Sequence, residues 1–402
     1  MNFIPKTKPI IEANYPSLIK YMGSKSKIMD FVIKGINEVH EDGSILDLFA
    51  GSASLAGAIG QQCTVHSNDI QAYSSILADT YNRAYKTEGT PSAESIINQA
   101  ADTVRALEQK VPILVSFDKD LDLKTFQSLE DQQKRIIDIE FSAEWHLFTK
   151  NYSGTWWSLE QCMWIDAIRG IAEKHRKTGH FSIILSALMY AMAYASQGTG
   201  HYAQYRDAKT NSSLRDILIY RRRSVADYFT KKYNDLLNFV PTAPSKLSHK
   251  STQLDFKGCL RNHKGGTVYA DPPYCFVHYS RFYHALETLV LYDYPELQIK
   301  GDKVVKGRYR DNRHQSPFCI KTKVKKSFED LFKGVRSSCS NLVLSYSNTG
   351  MISIEEVAII GSKIFPDHKL QLLTTDHMHM TLGRKNDRQR EVKECLILLK
   401  NR

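Results

Sequence analysis

The chain has 402 residues, 42% hydrophobic and 24% charged, a balance that builds a core in one large domain or two ordinary ones and excludes wholesale disorder. A net charge of +11 favours a polyanionic partner, most simply nucleic acid. Seven scattered cysteines without a Cys-x-x-Cys pair support neither a zinc ribbon nor a disulfide framework, and fit a reducing, cytoplasmic setting.

The N-terminal "MNFIPKTKPIIEANYPSLIKYMG" carries no signal-peptide apolar region. Residues 24–40 place Ile28, Phe31, Val32, Ile36 and Val39 on one helical face. Residues 44–60 read as a short buried strand, a small-residue turn and the start of a helix. Residues 63–70 form a second short strand ending in an acid, and "QAYSSILADTYNRAYK" returns to helical spacing. This β-α-β-α opening predicts a doubly wound, Rossmann-like α/β sheet. From about Gly89 to about Pro244 the alternation stops and the pattern is mostly helical. An inserted helical domain, 89–244, is expected between two parts of a catalytic domain, 1–88 and 245–402. Its most apolar run, 181–196, is shorter than the ~20 residues a bilayer requires, so it reads as a buried helix. Strand-like segments return at 266–270, 341–347, 368–375 and 391–400. The last two are expected to pair antiparallel at one edge of the sheet.

Three segments carry the chemistry. In "LDLFAGSAS" a strand ending at Asp47 and Phe49 turns through Gly51, Ser52 and Ala53 into a helix. Small residues let a ligand approach the backbone, and ligands of open α/β sheets sit beyond the carboxyl ends of the strands. Asp69 follows at the end of the next strand, about 20 residues on, where an acid accepts hydrogen bonds from ribose hydroxyls. The two suggest a nucleoside ligand, either a dinucleotide or S-adenosylmethionine. The third segment, Asp271-Pro272-Pro273-Tyr274, ends another predicted strand on the same sheet edge. The prolines stiffen the loop and expose carbonyls. Asp271 and the Pro272 carbonyl could accept hydrogen bonds from one amino group, with Tyr274 stacked on the ring that bears it.

In order, "IKYMGSK" (19–25), "DLFAGS" (47–52), "NDI" (68–70), "ADPPY" (270–274) and "LVLSYSN" (342–348) resemble the Dam-like (class alpha) amino-methyltransferases that act on DNA adenine. "HYSRFYHALETLVLYDYPEL" (278–297) and "LGRKNDRQREVKECLIL" are similar to the larger modification methylases of that class. The resemblance implies S-adenosyl-L-methionine as cofactor. Tyr21 and Lys25 match the motif closing over its methionine end, and Asp47, Phe49 and Gly51 match the glycine loop. Asp69 matches the ribose acid, Asp255 and Phe256 match the motif contacting the cofactor's adenine, and Asp271 to Tyr274 match the catalytic loop, with Asp271 also at the cofactor. Ala53 departs from the family, which usually shows a second glycine there. The implied reaction is methylation of the adenine N6 amine in double-stranded DNA within a restriction–modification system, the base being flipped onto Tyr274. Cys275 need not be a nucleophile, because the methyl group passes directly to the amine. Methylation of RNA adenine or of cytosine N4 is the enzymatic alternative, and a DNA-binding protein without catalysis is the other. The first-position aspartate of the loop leans toward adenine.

For DNA contact, the run 300–326 holds ten Lys or Arg against Asp302 and Asp311, including Arg308, Arg310, Lys321 and Lys323. "YRRRS", with Arg221, Arg222 and Arg223, suits backbone clamping, and "TGHYAQYRD", with Arg206, suits base-edge reading. No metal is expected: His377 and His379 lack partners at ligand spacing. A cognate endonuclease is expected as a separate chain, and no membrane partner is expected.

Overall fold

The structure, a computed structural model, describes residues 9–113, 117, 121–198, 200–274, 276, 278–380 and 389–401. Cys275, and the polar segment 381–388, lie outside the described residues. So do the side chains of His377 and His379.

Seven strands form one sheet: β1 (Ile45–Asp47), β2 (Val65–Asn68), β3 (Lys250–Thr252), β4 (Thr267–Ala270), β5 (Asn341–Ser347), β6 (Gln371–Met380) and β7 (Gln389–Leu399). Their spatial order is β3-β2-β1-β4-β5-β7-β6. The first five run parallel, β7 is antiparallel to β5, and β6 is antiparallel to β7. The expected edge hairpin is therefore present. Its strands run further than the polar composition suggested, with His377 opposite Val392, because backbone pairing carries the ladder on from Gln371 opposite Leu398 to Met380 opposite Gln389. β3 was not anticipated. Its three residues carry no apolar signal and are held by pairing to β2.

Period-two alternation divides the central strands between two cores. Ile45, Val65, Val343, Leu396 and Leu398 face one side, while Leu46, Val268, Leu342, Leu344, Ile397 and Leu399 face the other. Helices α1 (Met29–Val39), α2 (Ser54–Ile59) and α3 (Ala72–Asn82) cover the first face. The helix Val324–Ser337 covers the second through Phe328, Leu331 and Phe332. Central strands buried on both faces are what a parallel sheet requires.

Between α3 and β3 the chain is helical as expected, from Ala93–Glu108 to Val225–Phe239. The helix Phe181–Ala195 is buried along most of its length, and among the described residues no helix is long and apolar enough to cross a membrane. Trp156 and Trp157 sit fully buried beside it, and the Trp157 indole N–H donates to the Met192 carbonyl at 3.0 Å. This helical segment shares one apolar cluster with the first sheet face. Thr80 and Ser186 hydroxyls meet at 2.8 Å, and Arg169 Nε donates to the Leu289 carbonyl at 2.8 Å.

Candidate active site

The strand ends β1, β2 and β4 open on one cavity of about 240 Å³. The turn after β1 is built by backbone bonds: the Leu48 N–H donates to the Tyr269 carbonyl and the Ala50 N–H to the Asn68 carbonyl, both at 2.9 Å. Gly51 has φ +51°, and a Cβ there would lie 3.0 Å from the Tyr21 ring. Glycine is thus required twice, for the left-handed backbone and for the close approach. The Gly51 N–H donates to Asp69 Oδ2 at 2.9 Å, and the Gln71 N–H donates to Asp69 Oδ1 at 3.0 Å. Asp69 therefore holds the glycine turn, and each of its oxygens keeps a lone pair for a ligand. Burial raises its pKa, and the Gln71, Gly51 and Ile70 amides oppose the shift.

Ala53 takes φ 57° at the N-cap of α2 and is fully buried. Its left-handed backbone costs about 1–2 kcal/mol. The buried methyl returns about 0.8 kcal/mol, and a glycine would add unfolded-state freedom worth roughly 0.5–1 kcal/mol. Ala53→Gly is therefore expected to change stability by less than about 1 kcal/mol, which a thermal melt would measure.

The loop after β3 closes a second wall. Asn68 stitches it to the sheet, donating to the Leu48 and Leu254 carbonyls at 3.2 and 3.0 Å. Asp255 caps the helix Phe256–Arg261, accepting from the Lys257 and Gly258 N–H groups at 3.0 and 3.2 Å. Phe49, Phe256 and Phe318 pack with ring centres 5.1–6.0 Å apart. Phe49 and Phe256 line the cavity as an aromatic wall, and Phe318, which sequence reasoning missed, is buried behind them. Tyr21 forms the opposite wall, stacked on Tyr283 at 4.6 Å.

After β4 the Asp-Pro-Pro-Tyr loop enters the same cavity. Asp271 side-chain exposure is 17%. Lys25 Nζ lies 3.4 Å from Asp271 Oδ1, an ion-pair contact without hydrogen-bond geometry, so that oxygen has no hydrogen-bond donor among the described residues. Lys25 instead donates to both oxygens of Glu394, at 3.1 and 3.0 Å. The Tyr274 hydroxyl donates to Glu394 Oε1 at 3.2 Å, and its ring meets Tyr346 edge-on at 5.8 Å. Burial pushes the Asp271 carboxyl up to about 6, with Lys25 opposing and Glu394 adding to the shift. Asp47 is buried, its Oδ1 has no donor among the described residues, and burial, then the charges of Asp271 and Asp69, hold its pKa well above the usual range against the Phe49 amide.

All twelve residues expected in the cofactor and catalytic motifs line this one cavity: Tyr21, Lys25, Asp47, Phe49, Gly51, Asp69, Asp255, Phe256, Asp271, Pro272, Pro273 and Tyr274. Tyr279 and His314 also line it and were not singled out. Among the described residues no group of three His, Cys, Asp or Glu is placed to hold a metal ion.

The basic residues divide. Lys321 and Lys323 are exposed. Arg206 is partly exposed, 3.7 Å from Asp216. Arg222 is exposed and donates to the Phe117 carbonyl at 3.1 Å. Arg223 lies 4.4 Å from the Tyr220 ring centre and belongs to a surface stripe. There Tyr194 stacks on Tyr190 at 4.3 Å and on Tyr228 at 5.7 Å, and Lys20, next to Tyr21, sits 3.9 Å over Tyr194. Two expectations are corrected. Arg221 is inside the protein, its side chain fully covered, paired with Glu130 through two 2.9 Å bonds and with the Thr155 carbonyl at 2.7 Å. Arg310 is mostly covered and fork-paired with Asp293 at 2.8 and 2.6 Å. Arg308 is half-buried, 3.4 Å from the Lys134 carbonyl. Charge alone does not distinguish a phosphate clamp from an internal tie.

A mixed sheet with glycine-loop, acid and Asp-Pro-Pro-Tyr strand ends around one cavity defines a methyltransferase-type α/β protein. The chain belongs to the D12 class N6 adenine-specific DNA methyltransferase family, whose model matches residues 21–357. It is similar to the modification methylase LlaI of Lactococcus lactis subsp. lactis, 23% identical over 365 residues, covering 89% of this chain and 51% of that protein. It is similar to the modification methylase StsI of Streptococcus sanguinis, 24% identical over 350 residues, covering 85% and 46%. A third relative, the type II methyltransferase M.NlaIII of Neisseria lactamica, is 22% identical over 384 residues, covering 92% and 95%. The chain spans about half the length of the first two.

Proposed function

We propose that this chain transfers a methyl group from S-adenosyl-L-methionine to the N6 amine of an adenine flipped out of double-stranded DNA, as the modification component of a restriction–modification system. The observation that carries the reading is the convergence of the twelve motif residues on one cavity. The residues fit the cofactor: Asp47 offers a buried acceptor without a donor, Gly51 leaves room at the turn, and the phenylalanine wall suits a flat ring. When bound, the cofactor supplies a methyl group already activated on a sulfonium. Tyr21, Lys25, Asp47, Phe49, Gly51, Asp69, Asp255 and Phe256 would hold it. Asp271 and the Pro272 carbonyl accept the hydrogens of the amine, which draws its lone pair out of the ring. Tyr274 is the flat surface for the base, and the Lys25 and Glu394 contacts keep its hydroxyl in place. In this reading the segment 89–244 recognises the target, and the endonuclease is a separate chain.

A tritiated-methyl transfer assay on duplex DNA and RNA, with nucleoside analysis of the product, tests this. N6-methyladenine in duplex DNA is the expected product. N4-methylcytosine, transfer to RNA alone, or no transfer would overturn the reading. A 2-aminopurine at the target position is expected to brighten on binding if the base leaves the stack.

Two further outcomes follow. An ionised Asp271 is the acceptor, so kcat is expected to fall as pH drops through about 6, the value to which burial lifts this group. A pH series at saturating DNA and cofactor measures it. In this reading the tyrosine–cation stripe and the exposed lysines are the surface that meets DNA. Lys321→Ala, Lys323→Ala and Arg223→Ala are each expected to weaken binding to all sequences and lower the slope of log K against log salt by about 1, as one phosphate is no longer neutralised. Fluorescence anisotropy across a salt series would read this.

A further inference from the structure

β7 runs antiparallel to β5, with Glu394 opposite Ser347. This register brings Glu394, the middle residue of β7 and the first to pair with β5, to the edge where the parallel strands end, beside the loop that follows β4. Glu394 is the acid in "KECLILL", with its residue 1% exposed. A carboxyl group at that depth needs partners. Among the described residues it has two: Lys25 Nζ, bound by both oxygens at 3.1 and 3.0 Å, and the Tyr274 hydroxyl at 3.2 Å. Asp271 Oδ1 has the 3.4 Å ionic contact with the same ammonium and no hydrogen-bond donor among the described residues, while the Ser345 hydroxyl also favours the charged form of this carboxyl.

We propose that Glu394 is a positioning residue of the catalytic loop: it draws Lys25 onto itself and fixes the Tyr274 hydroxyl, so that Asp271 stays free to accept from the substrate amine. The inference rests on Asp271 being that acceptor. Without Glu394 the only carboxylate in contact with Lys25 among the described residues is Asp271. The ammonium would close on Oδ1, take one of the acceptor lone pairs and favour the charged form. Asp271 is faced by Lys25 from the short helical turn Lys25–Ile28, by Asp47 from β1, by Tyr269 from β4, by Glu394 from β7, and by Tyr279 after the loop. Lys25 is the cation among them, so the carboxylate that holds it sets the behaviour of the other.

The test compares kcat–pH profiles for methyl transfer to duplex DNA. In Glu394→Gln the acid limb is expected to move down by about one pH unit or more, because Lys25 turns to Asp271. The plateau rate is expected to fall about tenfold or more, with KM for the cofactor changed less. In Lys25→Met the limb is expected to move up, because two carboxylates then share the site without a cation. In the double variant Lys25→Met/Glu394→Gln it returns toward the wild-type position, since both charges leave together. The same order of midpoints is expected in the pH dependence of the melting temperature, which needs no turnover. If Glu394→Gln does not fold, the upward shift in Lys25→Met decides the matter alone. Lower rates with unmoved midpoints would leave Glu394 a merely structural residue and overturn the inference. Absence of transfer by the wild type would overturn the catalytic reading as well, so the two failures are distinguishable.

Discussion

Asp271→Asn is expected to remove methyl transfer almost completely and at the same time make the protein more stable at neutral and alkaline pH. The first effect follows from the acceptor role. An amide oxygen accepts more weakly than a carboxylate, and the amide nitrogen cannot accept at all. A loss of about 10²–10³ in kcat is the scale for removing one electrostatic contact to a reacting group. The second effect follows from the pKa. Burial raises the folded-state value from 3.8 to about 6. A carboxyl raised in this way favours the fold below its unfolded value, and that advantage is lost as pH rises through the folded value. Above about 7 the wild type carries the whole penalty, on the order of 3 kcal/mol at 1.36 kcal/mol per pH unit. Asparagine never ionises and avoids it. The Lys25 ammonium is not stranded, because Glu394 still binds it with both oxygens. Thermal melts of both proteins at several pH values check this. The curves are expected to converge near pH 4 and separate above 6. A less stable variant at pH 8 would show that Asp271 is a structural anchor.

Arg221→Met is expected to destabilise the fold by about 3–5 kcal/mol. The guanidinium makes a two-pronged bond to Glu130 and a third bond to the Thr155 carbonyl. Both charged side chains are nearly inaccessible. Removing one partner leaves a buried charge uncompensated, and this costs far more than a surface pair is worth. Burial already raises the Glu130 pKa, with Arg221 as the main opposing influence. In the variant that opposition is gone, so Glu130 should take up a proton more readily. The stability deficit should then grow with pH. Arg221→Met/Glu130→Leu is expected to recover most of the loss, because neither charge remains to be desolvated. Denaturant melts of the two single variants and the double variant form the cycle. By contrast, Lys321→Ala should stay within about 0.5 kcal/mol of wild type, as for an exposed residue away from special contacts.

The contrast between Arg221 and its neighbours shows where pattern reading fails. "RRR" looks uniform, yet successive residues at a helix end point about 100° apart. One of the three is therefore turned inward while Arg222 is exposed and Arg223 stacks on tyrosine. Glu394 was illegible for a different reason. Its partner Lys25 is 369 positions away, and no spacing rule spans that distance. The signal available was thermodynamic: an acid in an apolar strand must have a buried partner somewhere. β3 was missed because backbone pairing, rather than side-chain character, makes its three polar residues a strand.

The residues that line the cavity were legible because their determinants are local. A strand end, a turn needing small residues and a capped helix start each depend on a few adjacent side chains, so Gly51, Asp69, Asp255 and Asp271 announce themselves in short motifs. Alternating apolar residues likewise indicated the central strands and the edge hairpin. Tertiary structure decided which charges face water and which face one another. Burial and distance set those outcomes, and both depend on segments brought together from opposite ends of the chain. The ordered motifs thus pointed to Lys25, Asp271 and Tyr274, and folding added Glu394, which binds Lys25 and the Tyr274 hydroxyl.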